Sequence, residues 1–305
     1  MSEVKEIVAG LRRAKKMISP KYFYDERGSQ LFDQITTLPE YYPTETELGI
    51  MRDNIAEICA LIGPQASLIE YGSGSSLKTR VLLDHLHERA VYVPVDISED
   101  HLLSSAKDIR DEYPGLEVLP VVADFTKRFE LPNPAVMPLR NIVYFPGSTI
   151  GNFPRAEACE LLDVMYHEAG ENGAMLIGVD LQKDPEIIER AYNDSAGVTA
   201  EFNLNMLRHL NREFGSDFDL DCWQHEAQYN ESEGRIEIRL VNEEQQTVNI
   251  DGTEIVVERE EGILTEYSHK YTLESFAEMA QGAGFNIERV WTDEKNLFSV
   301  QYCSR

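Results

Sequence analysis

The sequence contains few cysteines and no long apolar segment. Its four cysteines, Cys59, Cys159, Cys222 and Cys303, are spread over 305 residues without a C-x-x-C pair. This spacing argues against a zinc knuckle, a redox dithiol or a disulfide framework. No segment approaches the roughly 18 apolar residues of a membrane helix, and the first residues lack the apolar core of a secretion signal. We therefore expect a globular protein of the cytoplasm that has no membrane partner.

Basic residues are also scarce. Lysine and arginine number 28 against 54 aspartates and glutamates, which gives a formal net charge of -26. A surface this acidic repels the phosphates of nucleic acids and favours solubility. We therefore expect no nucleic-acid partner, whereas a small cationic or zwitterionic substrate is compatible with the charge. The expected assembly is a monomer.

Two catalytic signatures are missing as well. The seven histidines form no H-E-x-x-H motif and no other ligand triad in sequence, so we expect no bound metal. The chain also has no G-x-S-x-G motif, which carries the nucleophile of an α/β-hydrolase. The sequence therefore argues against a zinc hydrolase and against a serine hydrolase of that fold.

Apolar segments alternate with helical patterns in the middle of the chain. The expected strands are 67–71, 91–95, 118–122, 141–145 and 174–179. The expected helices are 78–89, 98–113 and 156–169. Strands and helices that alternate through short connections predict a parallel sheet covered by helices on both faces, with ligands at the carboxyl ends of the strands. We therefore expect an α/β, Rossmann-like domain.

The pattern changes after residue 180. Helices are expected at 185–196 and 200–214, and strands of an antiparallel sheet at 235–241, 247–250, 254–258 and 263–268. A helix at 272–283 and a hairpin of strands 286–292 and 297–303 would fit the edge of the first sheet. The sequence therefore predicts a discontinuous first domain, 45–182 with 272–305, and a second, α+β domain, 1–44 with 183–271.

A glycine loop follows the first expected strand. It reads EYGSGSS over residues 70–76. Leu77 stands where the dinucleotide fingerprint G-x-G-x-x-G has its third glycine, and it also stands before Lys78-Thr79, where a P-loop needs glycine. Glycines allow a ligand to approach the backbone closely. A loop without a phosphate signature favours S-adenosylmethionine, which carries no phosphate, although an ordinary strand–helix turn is the alternative.

Acidic residues end the second and third expected strands. Asp96 can accept hydrogen bonds from both hydroxyls of a ribose. Asp124 and Phe125 can hold the amino group and the ring face of an adenine, and Lys78 can pair with a carboxylate of the cofactor. Each residue alone also fits an ordinary surface position. Together, at successive strand ends, they indicate a cofactor that contains a nucleoside.

The loop that follows the fourth expected strand lies at the same edge of the sheet. It covers residues 146–153, where we expect the methyl acceptor, and its Asn152 offers both a donor and acceptors. A turn-stabilising asparagine is the alternative. Near the N-terminus, a dense aromatic run includes Tyr24 and Tyr41. Most of these rings fit a cap that packs on the core, and tyrosines can also contact a sulfonium.

Several longer segments resemble the histidine-specific Nα-methyltransferases of ergothioneine biosynthesis. The segments are SPKYFYD (19–25), GSQLFDQIT (28–36), LPEYYPT (38–44), YGSG (71–74), GSTIGN (147–152), RAYND (190–194), AGVTAEFN (196–203) and LTEYS (264–268). They span nearly the whole chain, and their combination is highly specific. The resemblance implies a class I S-adenosylmethionine-dependent methyltransferase domain and a family-specific substrate-binding domain.

The resemblance also implies the reaction and the residues that carry it. S-adenosylmethionine would be the donor and free L-histidine the acceptor, whose α-amine is methylated three times to hercynine. The implied substrate-binding residues are Tyr41, Gly147, Asn152, Tyr192, Glu266, Tyr267 and Ser268, with Tyr41 and Asn152 as the catalytic pair. The implied cofactor-binding residues are Tyr24, Gly72, Lys78, Asp96, Asp124 and Phe125.

Two other functions are compatible with the sequence. The protein could methylate another aromatic amino acid, such as tryptophan, or it could bind the cofactor without catalysis. Glu266 and Ser268 favour histidine over tryptophan, because the resemblance assigns them to the imidazole and tryptophan has no second ring nitrogen to satisfy. Retention of Tyr41, Asn152 and Tyr192 argues against loss of catalysis.

Overall fold

The computed structural model describes residues 3–74, 77–86 and 91–305. The helices of these ranges are α1 (Glu3–Leu11), α2 (Glu26–Ile35), α3 (Tyr42–Ile62), α4 (Leu77–Leu83), α5 (Glu99–Glu112), α6 (Arg155–Ala169), α7 (Pro185–Tyr192), α8 (Val198–Phe214) and α9 (Leu273–Gly282). The strands are β1 (Ala66–Tyr71), β2 (Val91–Asp96), β3 (Glu117–Val118), β4 (Val121–Val122), β5 (Arg140–Phe145), β6 (Ala174–Asp180), β7 (Trp223–Asn230), β8 (Arg235–Asn242), β9 (Gln246–Ile250), β10 (Thr253–Val257), β11 (Gly262–His269), β12 (Asn286–Thr292) and β13 (Phe298–Ser304).

The chain divides into two compact units. The first, which we call the antiparallel-sheet unit, comprises Met1–Tyr42 and Lys183–His269. The second, which we call the parallel-sheet unit, comprises Pro43–Gln182 and Lys270–Arg305. No helix in the described ranges has both the length and the apolar character that a membrane crossing requires.

The parallel-sheet unit is built on an eight-stranded sheet with the order β12-β13-β6-β5-β1-β2-β3, and β4 also pairs with β2. Strands β6, β5, β1 and β2 run parallel, whereas β13 and β12 are antiparallel to their neighbours. The predicted Rossmann-like α/β sheet is therefore confirmed, and so is the predicted C-terminal hairpin at its edge.

The central strands of this sheet are buried on both faces. Ile69 and Ile177 belong to the apolar cluster on one face, and their neighbours Leu68 and Leu176 belong to the cluster on the other. Such strands read as continuous apolar runs, because helices cover both sides of a parallel sheet. Polar side chains that could contact a ligand are thus concentrated where the strands end.

Three local predictions for this unit need correction. The strand expected at 118–122 is two short strands, β3 and β4, on either side of Pro120, which has no N–H to donate to a ladder. The helix expected at 78–89 ends at Leu83, and residues 87–90 of that prediction lie outside the described ranges. Ser98 occupies the N-cap of α5, yet its side chain makes no capping bond.

The antiparallel-sheet unit contains two separate sheets where one was expected. One has the strand order β11-β8-β7, and the other is the hairpin of β10 and β9. Strand β7 was not predicted, because its sequence WQHEAQYN places several polar side chains on both faces. The helix expected at 185–196 ends earlier, at Tyr192.

One face of the three-stranded sheet forms the core of this unit. Alternate residues of β8, among them Ile236, Ile238 and Leu240, are buried. Leu240 belongs to the same apolar cluster as Phe202 of α8, on which Phe23 stacks with ring centroids 4.5 Å apart, whereas Ile236 and Ile238 belong to a smaller cluster. Part of the N-terminal aromatic run therefore packs on the core.

Candidate active site

The glycine loop leaves the carboxyl end of β1. Gly72 has a φ of 67°, in the left-handed region that glycine adopts without strain. A Cβ built on Gly72 would have Cε1 of Phe125 as its nearest neighbour, at 3.8 Å. The backbone of Gly72 is therefore open to a ligand that lies against it. Ser75 and Ser76 of the predicted loop lie outside the described residues.

Glu70, near the end of β1, connects the start of this loop to neighbouring elements. Its side chain is 2% exposed, and both carboxylate oxygens lie 2.6 Å from the donating hydroxyl of Thr79. The hydroxyl of Tyr92 donates to the same carboxylate. Burial raises the pKa of Glu70 to about 7, against the lowering effect of these hydrogen bonds. Glu70 thus connects β1 to α4 and β2. It could have been found in the sequence, because an acidic residue inside an apolar strand is unusual.

Asp96 lies beside the glycine loop at the end of β2. Tyr71 pairs with Val95 in register, and the N–H of Gly72 donates to the carbonyl of Val95 at 2.9 Å. Oδ1 of Asp96 accepts the N–H of Ser98 at 2.9 Å, and burial raises the pKa of the carboxyl. The structure therefore brings a desolvated carboxylate next to Gly72.

The pair Asp124 and Phe125 follows β4. The ring of Phe125 stacks on Tyr71, with centroids 5.3 Å apart and an interplanar angle of 26°. Asp124 faces donors of its own turn, because Thr126 and Lys127 both donate to its carboxylate. Burial acts to raise the pKa of Asp124, but these hydrogen bonds hold it below its ordinary value. Phe125 thus joins the glycine loop, whereas Asp124 is bound locally.

Lys78 has a partner that the sequence did not reveal. Its Nζ lies 2.5 Å from Oε2 of Glu47, a buried residue of α3. The N–H of Gly147 donates to both oxygens of the same carboxylate, at 2.9 and 3.1 Å. Nothing in the local sequence around Glu47 singles it out. Lys78 and Gly147, which were predicted for different ligands, therefore meet at one carboxylate.

The loop that follows β5 contains Gly147 and Asn152. It closes in a short 3-10 turn, Thr149–Asn152. The hydroxyl of Ser148 accepts the N–H of Asp180 at 2.9 Å, which fixes the loop to the end of β6. Asp180 in turn forms a fully buried ion pair with Lys270, at 2.7 Å. The loop is therefore bonded to a residue of β6 that is itself part of a buried ion pair.

Two of the three predicted substrate tyrosines of the antiparallel-sheet unit, Tyr41 and Tyr192, lie close to Ser268 or to each other. The hydroxyl of Tyr192 lies 2.8 Å from Oγ of Ser268, and the ring of Tyr41 meets that of Tyr192 edge-on, with centroids 6.2 Å apart. Nε2 of His225 lies 2.8 Å from the carbonyl of Tyr192. Burial lowers the pKa of His225, so this ring is neutral and donates its Nε2–H. Tyr41, Tyr192 and Ser268 thus form one cluster.

A β-bulge at Thr265 determines where Glu266 points. Leu264 pairs with Arg239 and Glu266 pairs with Ile238, so Thr265 is an extra residue in β11. Side chains directly opposite each other share a face of a sheet. Glu266 therefore lies on the buried face with Ile238, and Ser268, which pairs with Ile236, follows it there. If these residues paired regularly after Leu264, with no bulge, Glu266 would lie opposite Glu237 and Ser268 opposite Arg235, and both side chains would face outward.

Two predicted residues lie apart from these groups. Tyr267 pairs with Glu237 on the opposite face of the sheet, where the guanidinium of Arg235 lies 4.0 Å from its ring centroid. Tyr24 is 42% exposed and packs edge-on against Phe202. The structure thus does not bring Tyr267 together with Glu266 and Ser268. Among the described residues, no group of three or more histidines, cysteines or acids could hold a metal.

The parallel sheet, the open glycine loop and the half-buried acid at the end of β2 are those of an S-adenosylmethionine-dependent methyltransferase. Residues 3–305 match the family described as histidine-specific, S-adenosylmethionine-dependent methyltransferase, and the chain belongs to this family. The predicted resemblance is therefore confirmed.

Three relatives illustrate the match. The chain is 41% identical to the histidine N-alpha-methyltransferase of Mycolicibacterium smegmatis, over 99% of this chain and 94% of the relative. It is 38% identical to the protein of the same name from Mycobacterium tuberculosis, with the same two coverages. It is 32% identical to ergothioneine biosynthesis protein 1 of Neurospora crassa, over 88% of this chain and 31% of that protein.

Proposed function

We propose that this enzyme transfers methyl groups from S-adenosylmethionine to the α-amine of L-histidine, three in succession, to give hercynine, the first step of ergothioneine biosynthesis. The observation that carries the proposal is the match of residues 3–305 to the histidine-specific family. The common face of Glu266 and Ser268, two positions implied for imidazole recognition, supports it.

We propose that the two units divide the work. The cofactor domain would comprise 45–182 with 272–305, and the substrate domain 1–44 with 183–271. The first contains the glycine loop and Asp96, and the second contains the cluster of Tyr41, Tyr192 and Ser268. Gly147 and Asn152 of the implied substrate residues lie in the cofactor domain, and Tyr24 of the implied cofactor residues lies in the substrate domain.

The residues of the parallel-sheet unit fit an adenosine cofactor without phosphate. Because Gly72 has no Cβ, a ligand can approach its backbone, and Phe125 presents an aromatic ring beside it. Asp96 would accept from the ribose hydroxyls, Asp124 would meet the adenine amino group, and Lys78 would face the carboxylate. Tyr24 would also assist. When bound, the cofactor supplies a methyl group on a positive sulfur.

The residues of the substrate group would position the α-amine and keep it neutral. A protonated amine has no lone pair, so the site must capture the neutral form before transfer. Tyr41, Asn152 and Tyr192 would hold the amine and the carboxylate of the amino acid, and Gly147 would line the same substrate site. Methyl transfer is an in-line displacement, in which correct positioning supplies most of the rate.

Glu266 and Ser268 would recognise the imidazole. A carboxylate accepts from one ring N–H, and a hydroxyl can donate to or accept from the other nitrogen. A buried group that is built to hydrogen-bond a substrate rejects an analogue that lacks the partner. Tyr267 would contribute from the same strand, although its ring lies on the other face.

The test is incubation of the purified enzyme with S-adenosylmethionine labelled on its methyl group and with single amino acids, read by mass spectrometry. We expect histidine to gain up to three labelled methyl groups on its α-nitrogen, and tryptophan to gain none. The proposal fails if histidine gains none while another amine does.

We also propose that the enzyme acts as a monomer in the cytoplasm and without nucleic acid. The net charge of -26 supports a monomer, because two copies repel each other. All four cysteines are free thiols, which suits a reducing compartment. Light scattering of the purified protein tests the monomer: a mass of twice the 34.7 kDa chain would contradict it.

A further inference from the structure

A buried carboxylate connects the start of α4 to the loop that follows β5. Glu47 is 1% exposed, and its Oε2 lies 2.5 Å from Nζ of Lys78, in the first turn of α4. The N–H of Gly147, in the loop that follows β5, donates to the same carboxylate. One acid from α3 therefore fixes a side chain of α4 and a backbone amide of the loop that follows β5.

The space for this carboxylate depends on a glycine of β6. A Cβ built on Gly178 would lie 2.1 Å from Oε1 of Glu47 and 2.9 Å from its Cδ. Real contacts are never this short, so any larger residue at 178 would displace the carboxylate. The position of Glu47 is therefore built into the packing of the sheet.

Burial favours an intact ion pair between Glu47 and Lys78. A buried carboxylate that loses its cation becomes an uncompensated buried charge, which strongly destabilises a fold. The ammonium of Lys78 has three N–H donors. It can therefore keep its bond to Glu47 and still donate to a second anion.

We propose that Glu47 is a positioning residue that holds the ammonium of Lys78 in place for the carboxylate of the cofactor, and that the amide of Gly147 fixes the carboxylate of Glu47. The inference rests on the proposed cofactor site and extends it, because only Lys78 was assigned to that carboxylate. Glu47 acts through Lys78 and touches neither substrate nor cofactor.

The first experiment compares two ligands in Glu47→Gln. S-adenosylhomocysteine carries the amino-acid carboxylate, whereas 5′-methylthioadenosine keeps the adenosine and the sulfur but lacks that end. Calorimetry should show that S-adenosylhomocysteine binds about tenfold or more weakly. Lys78 is then no longer held in place, and its charge-assisted bond to the carboxylate of this ligand is lost. Binding of methylthioadenosine should be unchanged. Equal losses for both ligands, or no loss for either, would overturn the proposal.

A double-mutant cycle tests whether Glu47 acts through Lys78. We expect Lys78→Met to weaken binding of S-adenosylhomocysteine, and Glu47→Gln to add little in that background. An effect of Glu47→Gln that persists undiminished when Lys78 is absent would refute the positioning role. Both measurements are of binding, so an enzyme that fails to methylate histidine would refute the proposed function and leave this inference intact.

Two further variants separate positioning from general damage. Glu57→Gln makes the same chemical change on the same helix, where Glu57 accepts from Trp291 and Arg289 at 2.9 and 2.6 Å. It should leave binding of both ligands unchanged. Gly178→Ala keeps the charge of Glu47 but displaces its carboxylate, so it should reproduce the selective loss for S-adenosylhomocysteine even if Glu47→Gln does not fold. Gly178→Ala with full affinity would count against the proposal.

Discussion

Replacing Glu266 with alanine should impair the methylation of histidine far more than cofactor binding. The bulge at Thr265 turns Glu266 toward the face that holds Ile238, Tyr192 and Ser268. A hydrogen bond to a charged group contributes about 1.5–3 kcal/mol. Loss of this bond should lower kcat/KM for histidine by about 10- to 150-fold.

The assay measures kcat/KM for histidine and for tryptophan, together with the affinity for S-adenosylhomocysteine. We expect a loss for histidine, no comparable loss for tryptophan and unchanged cofactor affinity. Glu226→Ala is the matched control, because Glu226 pairs with Arg239 on the outward face of the same sheet. If Glu266→Ala weakens cofactor binding as much as histidine turnover, Glu266 is structural and the reasoning is refuted.

Three other predictions concern the parallel-sheet unit. Asp96→Ala should weaken the binding of S-adenosylhomocysteine about tenfold, as measured by calorimetry. Unchanged affinity would rule out that Asp96 binds the ribose. Lys270→Met should destabilise the fold by about 3–5 kcal/mol in urea unfolding, since it removes the ammonium that pairs with the buried carboxylate of Asp180; a loss below about 1 kcal/mol would contradict this. Burial raises the pKa of Glu70 from 4.5 to about 7, so between these values the unfolded state releases a proton that the folded state keeps. Wild type should therefore lose stability relative to Glu70→Gln as pH rises from 4.5 to 7, with no further change above 7; a constant difference in unfolding free energy at pH 5 and pH 8 would argue against the raised pKa.

The sequence predicted the parallel sheet well, because its central strands must be apolar on both faces. Strand β7 escaped prediction for the opposite reason. Its buried face carries His225, whose ring nitrogens are satisfied by Asn203 and by the carbonyl of Tyr192. Such a strand is recognised by its pairing with β8, which lies in the tertiary structure and not in the local pattern.

The candidate site shows the same contrast. Asp96 and Phe125 could be found because the ends of parallel strands converge on one edge. Glu47 could not, because it is 31 residues from Lys78 and 100 from Gly147 in the chain. The roles of Tyr192, Glu266 and Ser268 came from the family resemblance, since no local pattern assigns a partner to a strand residue.

The bulge at Thr265 makes the proposed recognition of the substrate depend on strand pairing as well as on side-chain identity. If β11 paired regularly with β8 after Leu264, Glu266 would move from Ile238 to a position opposite Glu237, and every later side chain of β11 would change face. Tyr267 would then take the place of Ser268 opposite Ile236 on the inner face. A shift of one residue in pairing would thus exchange polar side chains for an aromatic ring on this face, with no change in the sequence.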